Sequence, residues 1–257
     1  MSHVRNDQKK TRLAFFDFAD CEGCQLQVTY LNEQLLGVLK YFEIVNFREA
    51  ISEQSDDYDI AIVEGSITRK HDEDRLKRIR EQAGILMAYG SCACIGGING
   101  LRLKFSPDEA KHIVYNGRKY HLEAGRPRPL SDVVKVDYHI PGCPTNNQEF
   151  VTALKSILIG KGYRPPNYAV CVECKFKENV CLFEKGQVCM GPFTRAGCGA
   201  WCICYGNTCY GCRGLLNGSV NKAQMDILLG SGYSIGEIKQ KFETYNLCKI
   251  KGGRESE

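Results

Sequence analysis

Cysteine is the residue that most constrains what this chain can fold into. Of its 257 residues 15 are cysteine, and nine of these lie in the 42 residues from Cys171 to Cys212. The N-terminal segment has neither an apolar stretch of signal-peptide length nor a twin-arginine pair, which predicts a cytoplasmic protein. In a reducing compartment, dense cysteines bind metal or carry out redox chemistry more often than they form disulfides, and an odd number fits complete pairing badly. We therefore expect the thiols to act as ligands.

The rest of the composition is that of an ordinary globular protein. Hydrophobic residues make up 43% and charged residues 25% of the chain, which excludes a disordered or collagen-like protein. No run of 18 apolar residues is present, so the sequence predicts no membrane span. The net charge is only +4, because 34 basic residues are interspersed with 30 acidic ones, and this gives no support for a nucleic-acid partner.

Before residue 165, short apolar runs alternate with longer helical patterns. The runs predict five buried parallel strands, at residues 13–18, 43–47, 59–63, 85–89 and 136–140. Leucines at positions 31, 35, 36 and 39 have the spacing of one helix face, and apolar residues within 150–158 have it again. Strands that alternate with helices imply right-handed crossovers, so the predicted fold class is α/β with an open, flavodoxin-like parallel sheet.

Pro165 and Pro166 mark the boundary between two regions of different character. Residues 1–164 form the predicted flavodoxin-like domain, and residues 165–257 form a predicted cysteine-rich domain. The cysteine-rich tract shows neither a helical nor a strand period, so we expect a mostly irregular domain that draws folding energy from metal coordination. Ser234 and Glu237 form a capping-box pattern, which predicts a C-terminal helix packed back on the protein.

Several polar features have plain structural explanations. The charge-rich residues 69–82 predict a solvated helix face, and residues 101–131 are either a partner-docking insertion or a surface excursion. Glu22 fits a role in helix-end electrostatics better than one in proton movement. We expect structural roles for five histidines that lack ligand spacing to one another: His3, His71, His112, His121 and His139.

Three cysteine motifs follow predicted strands of the first region directly. They are Cys21-Glu-Gly-Cys24, the Gly90–Gly97 loop GSCACIGG, and Pro141-Gly-Cys143-Pro144. Strand ends of a parallel sheet meet at one edge, where ligands bind. Four thiolates there would satisfy one [4Fe-4S] cluster, and the neighbouring glycines would let backbone N–H groups approach its sulfurs. Taken alone, the first motif also fits a thioredoxin-like dithiol, and the glycine loop a phosphate-binding turn that lacks the Lys-Ser/Thr ending.

The second region supplies nine further cysteines, which suffice for two tetrathiolate sites with one thiol left over. Paired Cys-x-x-Cys motifs also occur in zinc ribbons, so this tract by itself leaves a zinc-stabilised structural protein open. Zinc protein would be colourless and free of labile sulfide, whereas iron-sulfur protein would be brown.

The motifs, taken in order along the chain, resemble those of one family. Beside the three motifs above they are VEGS at 63–66, CVEC at 171–174, CLFEKG at 181–186, GPFTRAGC at 191–198 and CYGC at 209–212. This sequence resembles the small subunit of nickel-iron hydrogenases, specifically the cytoplasmic type found in sulfhydrogenases and in F420-nonreducing or electron-bifurcating hydrogenases. The resemblance covers nearly the whole chain.

The resemblance implies three [4Fe-4S] clusters. The proximal cluster would be held by Cys21, Cys24, Cys92 and Cys143. The distal cluster would be held by Cys171, Cys174, Cys181 and Cys189. The medial cluster would be held by Cys198, Cys202, Cys209 and Cys212, with Cys202 preferred to Cys204. The surplus thiols are then Cys94, Cys204 and Cys248, and the odd number of cysteines needs no disulfide.

Two departures from other members of the family concern the reduction potentials of the clusters and the tolerance to oxygen. The periplasmic members have histidine and often proline where this chain has Cys171 and Cys202, and thiolates in place of neutral ligands lower a cluster potential. The oxygen-tolerant type adds a cysteine beside the first motif, and none adjoins Cys21 or Cys24 here. We therefore expect low-potential clusters and an oxygen-sensitive enzyme.

The implied function is that of an electron-transfer subunit. A nickel-iron large subunit would activate H2, and flavin- and iron-sulfur-containing subunits that use NAD(P) or ferredoxin would exchange the electrons. The alternative is the related cluster subunit of a complex-I-like dehydrogenase, which shares the first domain but has adjacent cysteines where this chain has Cys21-x-x-Cys24.

Overall fold

A computed structural model describes residues 10–116, 118, 123, 125–216, 228–230 and 232–252. Its centre is a five-stranded parallel sheet in the order β2-β1-β3-β4-β5, the order typical of flavodoxin-like folds. The strands are β1 (Thr11–Phe16), β2 (Phe42–Asn46), β3 (Ile60–Glu64), β4 (Ile85–Tyr89) and β5 (Tyr138–Ile140). All five predicted strands and the predicted fold class are thereby confirmed.

The last strand is shorter than predicted, because a side chain takes over part of its pairing. Asp137 precedes β5, and its carboxylate accepts a hydrogen bond of 2.9 Å from the backbone N–H of Leu86 on β4. The same carboxylate binds Arg80 at 2.5 Å. Regular strand pairing therefore begins only at Tyr138.

Helices cover both faces of the sheet. The first region contains α1 (Gly23–Thr29), α2 (Glu33–Val38), α3 (Lys70–Gln82), α4 (Ser91–Ile95), α5 (Pro107–Tyr115) and α6 (Asn147–Leu158), with a 3₁₀ segment at Gly97–Lys104 and another at Leu130–Asp132. Phe15 and Tyr89 pack with Phe150 of α6 on one face. Ala88 and Leu76 of α3 belong to the core of the other face. These two cores hold the strand ends in fixed positions beneath the cysteine loops.

The predicted polar segments adopt the expected kinds of structure. Helix α3 buries Leu76 and Ile79 and exposes most of its charged side chains, so it is the solvated helix that the sequence predicts. Within residues 101–131, α5 begins with a capping box between Ser106 and Glu109 and buries no residue. A partner-docking role for this stretch remains a prediction, and its residues 117, 119–122 and 124 lie outside the described part of the chain.

The cysteine-rich region has little regular structure apart from its last helix. Its elements are α7 (Val170–Phe176), a 3₁₀ segment (Leu182–Lys185), α8 (Trp201–Cys204) and α9 (Ile235–Gly252). As predicted, the Ser234 hydroxyl accepts a hydrogen bond from the N–H of Glu237 at 3.2 Å, and the Glu237 carboxylate accepts one from Ser234 N–H at 2.9 Å. Helix α9 packs Phe242 into the core of the cysteine-rich region, whereas Tyr245 packs against the sheet region. It thus touches both predicted domains, whose boundary remains a prediction.

Among the described residues, no helix combines the length and the apolar character needed to cross a membrane.

Candidate metal centres

The carboxyl end of the sheet brings the first four predicted ligands together. Cys21 and Cys24 follow β1, Cys92 follows β4, and Cys143 follows β5. Burial raises the pKa of the Cys92 thiol to about 12, and the charges of Cys143 and Cys21 act in the same direction. Burial also raises the pKa of Cys24, and the charge of Cys143 again acts in the same direction. The four thiols therefore lie near one another at this edge of the sheet, and their role as ligands of one cluster remains a prediction.

Two glycines make room for these thiols. A Cβ on Gly90 would lie 2.5 Å from the sulfur of Cys24, and a Cβ on Gly97 would lie 2.9 Å from both the sulfur and the backbone nitrogen of Cys92. Both glycines also have positive φ angles, 91° and 53°. The glycine loop is therefore built around the cysteine side chains.

A buried acid fixes the start of α1 below this first thiol set. Glu64, at the end of β3, is 2% exposed. Its carboxylate accepts hydrogen bonds from the N–H groups of Cys24 at 3.1 Å and Gln25 at 2.9 Å. Burial raises the pKa of Glu64 and raises that of the neighbouring Asp20 to about 7. Glu64 belongs to the VEGS motif but was assigned no role from the sequence, although an acid closing a buried apolar strand is an unusual signal.

A second thiol set surrounds α7. Burial raises the pKa of Cys171 to about 12. The charges of Cys189, Cys174 and Cys181 raise it as well, but by less. A Cβ on Gly191 would lie 3.2 Å from the sulfur of Cys171 and 3.5 Å from that of Cys189. The structure therefore brings together the four residues predicted as distal ligands.

A third thiol set lies between the other two. Burial raises the pKa of Cys212 to about 12, and the charges of Cys198, Cys143 and Cys202 add to the effect. Burial likewise raises the pKa of Cys209, with a contribution from Cys212. These are the four predicted medial ligands, and through Cys143 they adjoin the first thiol set.

The third set also touches the second. The backbone N–H of Cys209 donates a hydrogen bond of 3.3 Å to the sulfur of Cys189. The charge of Cys189 contributes to the raised pKa of Cys202, which burial dominates. The three thiol sets thus follow one another in the order first, third, second.

The three surplus cysteines have other surroundings. Cys204 is exposed, and its sulfur lies 3.4 Å from the Asn179 side-chain nitrogen. The buried thiols of Cys94 and Cys248 donate to the backbone carbonyls of Ala88 and Pro127, at 3.4 and 3.3 Å. The charge of Cys202 acts on Cys212 of the third set, whereas that of Cys204 acts on Cys174 of the second set, so the preference for Cys202 as a medial ligand remains a prediction.

All fifteen cysteines are free thiols. Within the described residues, no group of three or more His, Cys, Asp or Glu side chains is spaced to hold a single metal ion.

Charged side chains that the sequence did not single out support the thiol loops. Glu173, between two cysteines of α7, accepts hydrogen bonds from the N–H groups of Gly197 at 2.8 Å and Ala200 at 3.2 Å. These residues flank Cys198, so Glu173 ties the third thiol set to the helix that carries the second. Nothing in the one-dimensional spacing distinguishes this acid from a solvated one.

Arg213 joins the cysteine-rich region to the sheet region. Its side chain is 1% exposed and forms an ion pair of 2.6 Å with Glu149 on α6, whose side chain is 6% exposed. It also donates to the carbonyl of Pro141, just before Cys143, and to that of Ala196 at 2.7 Å. Burial lowers the pKa of Arg213, but Glu149 together with Cys198 and Cys212 raises it overall. A fixed positive charge therefore lies beside the third thiol set.

Tyr245 of α9 completes the surroundings of the first set. Burial raises the pKa of Tyr245, and the neighbouring Cys143 and the charges of Cys212 and Cys92 raise it further. The side chain therefore lies where the first and third thiol sets meet.

The other polar residues singled out in the sequence, Glu22 and the described histidines, belong to none of the three thiol sets. Glu22 pairs with Arg48 at the start of α1, next to the first motif. His71 and His112 are exposed, and His139 is half-buried on β5. His3 and His121 lie outside the described residues.

Comparison with known proteins identifies the family. Residues 21–157 match the family described as NADH ubiquinone oxidoreductase, 20 Kd subunit. The delta chain of sulfhydrogenase 2 from Pyrococcus furiosus is 38% identical, over 79% of this chain and 86% of its own length. A chain of the F420-non-reducing hydrogenase vhu from Methanocaldococcus jannaschii is 32% identical, over 91% of this chain and 93% of its own. The chain belongs to the nickel-iron hydrogenase small subunits.

Solved structures show the same fold for this hydrogenase small subunit. A chain of an NAD+-reducing [NiFe]-hydrogenase superposes with a TM-score of 0.55 at 24% identity and covers 62% of this chain and 96% of its own length. A chain of the Ni-Fe-Se hydrogenase of Desulfomicrobium baculatum has a TM-score of 0.52 at 15% identity and covers 80% and 94%. The resemblance predicted from the motifs is confirmed.

Proposed function

We propose that this hydrogenase small subunit conducts electrons through three [4Fe-4S] clusters, between a nickel-iron site on a partner large subunit and electron-carrier subunits. The observation that carries the proposal is the arrangement of twelve thiols in three adjoining sets of four. The third set adjoins the first through Cys143 and Cys212, and the second through Cys209 and Cys189. An electron therefore has a continuous route through proximal, medial and distal sites.

The residues of the three sets fit such clusters. Each set supplies four thiols, the number of cysteine ligands that a [4Fe-4S] cluster takes. Burial raises the pKa of most of these thiols, so they are protonated in the absence of iron and lose their protons to it on binding. Bound clusters supply one-electron redox chemistry, while the chain sets their positions, excludes water and places Arg213 and Tyr245 beside them.

The proposed partners are of two kinds. A nickel-iron large subunit would carry the H2 chemistry, and flavin- and iron-sulfur-containing subunits that use NAD(P) or ferredoxin would take or supply electrons. A relative from Cupriavidus necator, 26% identical over 63% of this chain, is the delta chain of an NAD-reducing hydrogenase, which supports a nicotinamide-linked partner. The proposed compartment is the cytoplasm, where ligand thiols stay reduced.

Thiolates at Cys171 and Cys202 suit this exchange. Thiolate ligands keep cluster potentials low, in the range of ferredoxin and nicotinamide carriers. Redox-titrated EPR of the purified complex tests this point, and a high-potential [3Fe-4S] signal from the medial site would contradict it. We also propose that the enzyme is oxygen-sensitive, which sustained H2 oxidation in air would refute.

The central experiment is anaerobic purification of the tagged chain from its native cells, followed by metal, sulfide and subunit analysis. We expect brown protein with about twelve iron and twelve sulfide per chain, as three [4Fe-4S] clusters require. A nickel-containing large subunit should accompany it. Zinc without sulfide would overturn the cluster proposal, and a cluster-loaded chain without any nickel-containing partner would overturn the hydrogenase role.

A further inference from the structure

A cavity of about 440 Å³ lies where the sheet region meets the cysteine-rich region. Its walls come from β5, α4, α9, the linker at residues 164–167 and the segments around residues 195 and 213–215. Five of the side chains lining it carry or can accept a positive charge: His139, Arg164, Arg195, Arg213 and Lys249. Among the described residues that line it, none is acidic.

The charges in this cavity are poorly compensated. Arg164 and Lys249 make no ion pair or hydrogen bond with the described residues. Arg195 donates only to neutral acceptors, the carbonyl of Pro166 at 3.2 Å and the side-chain oxygen of Asn167 at 3.0 Å. Glu149 balances Arg213, so three permanent positive charges remain without a carboxylate.

His139 adds an independent sign of a missing partner. Its Nδ1 atom is buried and has no hydrogen-bond partner. Burial lowers its pKa, and the charges of Lys249 and Arg195 lower it further. Buried polar atoms are normally hydrogen-bonded, so the ring nitrogen is an unsatisfied polar group behind the cationic wall of the cavity.

The two guanidinium groups of the wall are held in place before any ligand arrives. Arg213 is fixed by Glu149 and three backbone carbonyls behind the wall, and Arg195, the guanidinium that a ligand can reach, is fixed by the linker. Planar guanidinium groups match phosphate oxygens in pairs, and ligands lose less entropy on binding to groups that are already ordered.

We propose that this cavity binds a phosphate group, free or as part of a small phosphate ester. The ligand would contact Arg164 at the end of the sheet region and Arg195 in the cysteine-rich region, so its binding ties the two regions together. The volume exceeds that of one phosphate, and small-molecule sites begin at about this size. This inference goes beyond the proposed electron transfer and does not depend on the number of clusters.

Calorimetric titration of the anaerobically purified, cluster-loaded protein tests the proposal. Inorganic phosphate and adenosine monophosphate are titrated at constant ionic strength, with chloride as the comparison anion. We expect saturable binding of one phosphate group per chain and no competition from equimolar chloride. Tighter binding of the monophosphate would identify an ester as the ligand, and equal affinity would identify free phosphate; both outcomes support the site.

Matched variants decide whether the cavity is responsible. The double variant Arg164→Gln/Lys249→Gln changes two exposed side chains of the wall, and we expect at least about a tenfold rise in Kd, as loss of hydrogen bonds to charged groups implies. Lys77→Gln/Lys111→Gln removes the same charge from α3 and α5, outside the cavity, and should leave Kd unchanged. Absence of saturable binding, or an equal loss in both double variants, would overturn the proposal.

Discussion

Tyr245 shows how one side chain can set the behaviour of a cluster from outside its ligand set. The pKa values of Tyr245 and of Cys143, a proposed proximal ligand, depend on each other although 102 positions separate the two residues, and we expect the hydroxyl to donate to the sulfur once a cluster is bound. Hydrogen bonds to ligand sulfurs stabilise the reduced, more negative cluster and so raise its potential. We therefore expect the C-terminal helix to influence the potential of the proposed proximal cluster.

We predict that Tyr245→Phe lowers the midpoint potential of the proximal cluster while iron content stays at the wild-type level. Redox titration followed by EPR measures the shift. Tyr205→Phe removes an exposed hydroxyl elsewhere in the cysteine-rich region and serves as the control. An unchanged proximal potential in Tyr245→Phe would show that the hydrogen bond has no such role.

The Arg213–Glu149 pair is the second prediction at this scale. Both side chains are almost fully buried, and removing one partner leaves an uncompensated buried charge. We expect Arg213→Met to lower the free energy of unfolding by about 3–5 kcal/mol. Anaerobic urea titration of the cluster-loaded chain measures this loss.

The control is an ion pair within α9 whose lysine is exposed. Lys239 lies 3.9 Å from Glu243 and its side chain is 72% exposed. Lys239→Met should therefore cost no more than about 0.5 kcal/mol. If both variants lost the same small amount, Arg213 would not be the link between the two regions that we infer.

At the scale of helices and strands, the stability of α9 depends on the hydrogen bonds of its first turn. Ser234 and Glu237 exchange hydrogen bonds there, and the helix then carries Phe242, Tyr245 and Cys248 into two different cores. We predict that Ser234→Ala lowers the free energy of unfolding by about 1 kcal/mol, the usual contribution of such a cap. Urea titration provides the measurement.

Helix α5 offers a matched comparison for this cap. Ser106 and Glu109 form the same capping box, but α5 buries no residue. Ser106→Ala should fray α5, seen as faster amide exchange, with little change in global stability, because local opening need not unfold the core. Equal global losses in the two variants would contradict the special role given to α9.

The elements of this fold could be predicted from the sequence where the signal is local. Residues 60–63 and 86–89 are apolar and buried on both sides, so their runs predict strands without knowledge of partners. The ligand cysteines follow such strands or repeat at short spacing, and they too are visible in the sequence. The roles of Glu64, Glu173 and Glu149 were not predictable, because each depends on a partner that only tertiary folding brings near.

Two local details could not be predicted from the spacing of apolar residues. The helical pattern of 31–39 gave no sign that helices α1 and α2 are separated at Asn32, which has a φ of 50°. The early part of the fifth predicted strand is replaced by the side chain of Asp137. In both cases a polar residue with a backbone or side-chain preference of its own overrides the apolar pattern.

At the scale of the whole molecule, the three thiol sets form a series, and the proposed electron route requires the medial one. We predict that Cys212→Ser reduces the iron content from about twelve to about eight per chain, since one [4Fe-4S] cluster is lost. Electron transfer from H2 to the carrier should then fall much more than hydrogen-isotope exchange, which needs no electron route beyond the large subunit. Metal analysis and the two activity assays measure these effects.

Cys94→Ser and Cys248→Ser are the controls, since both thiols are buried away from the three sets and donate to backbone carbonyls. Each variant should retain about twelve iron, the content of three [4Fe-4S] clusters. Retention of full iron in Cys212→Ser, or loss of a whole cluster in either control, would show that the ligands are wrongly assigned.

The position of α9 has a consequence for biosynthesis. The ribosome delivers all twelve proposed ligand cysteines before it delivers Tyr245 and Cys248, which close over the proximal site and over the loop at Gly96 and Gly100. Until α9 emerges and docks, that side of the proximal site is open to the machinery that inserts iron and sulfide. A chain stalled before residue 235 would therefore hold all twelve proposed ligands but leave Cys143 without Tyr245 beside it.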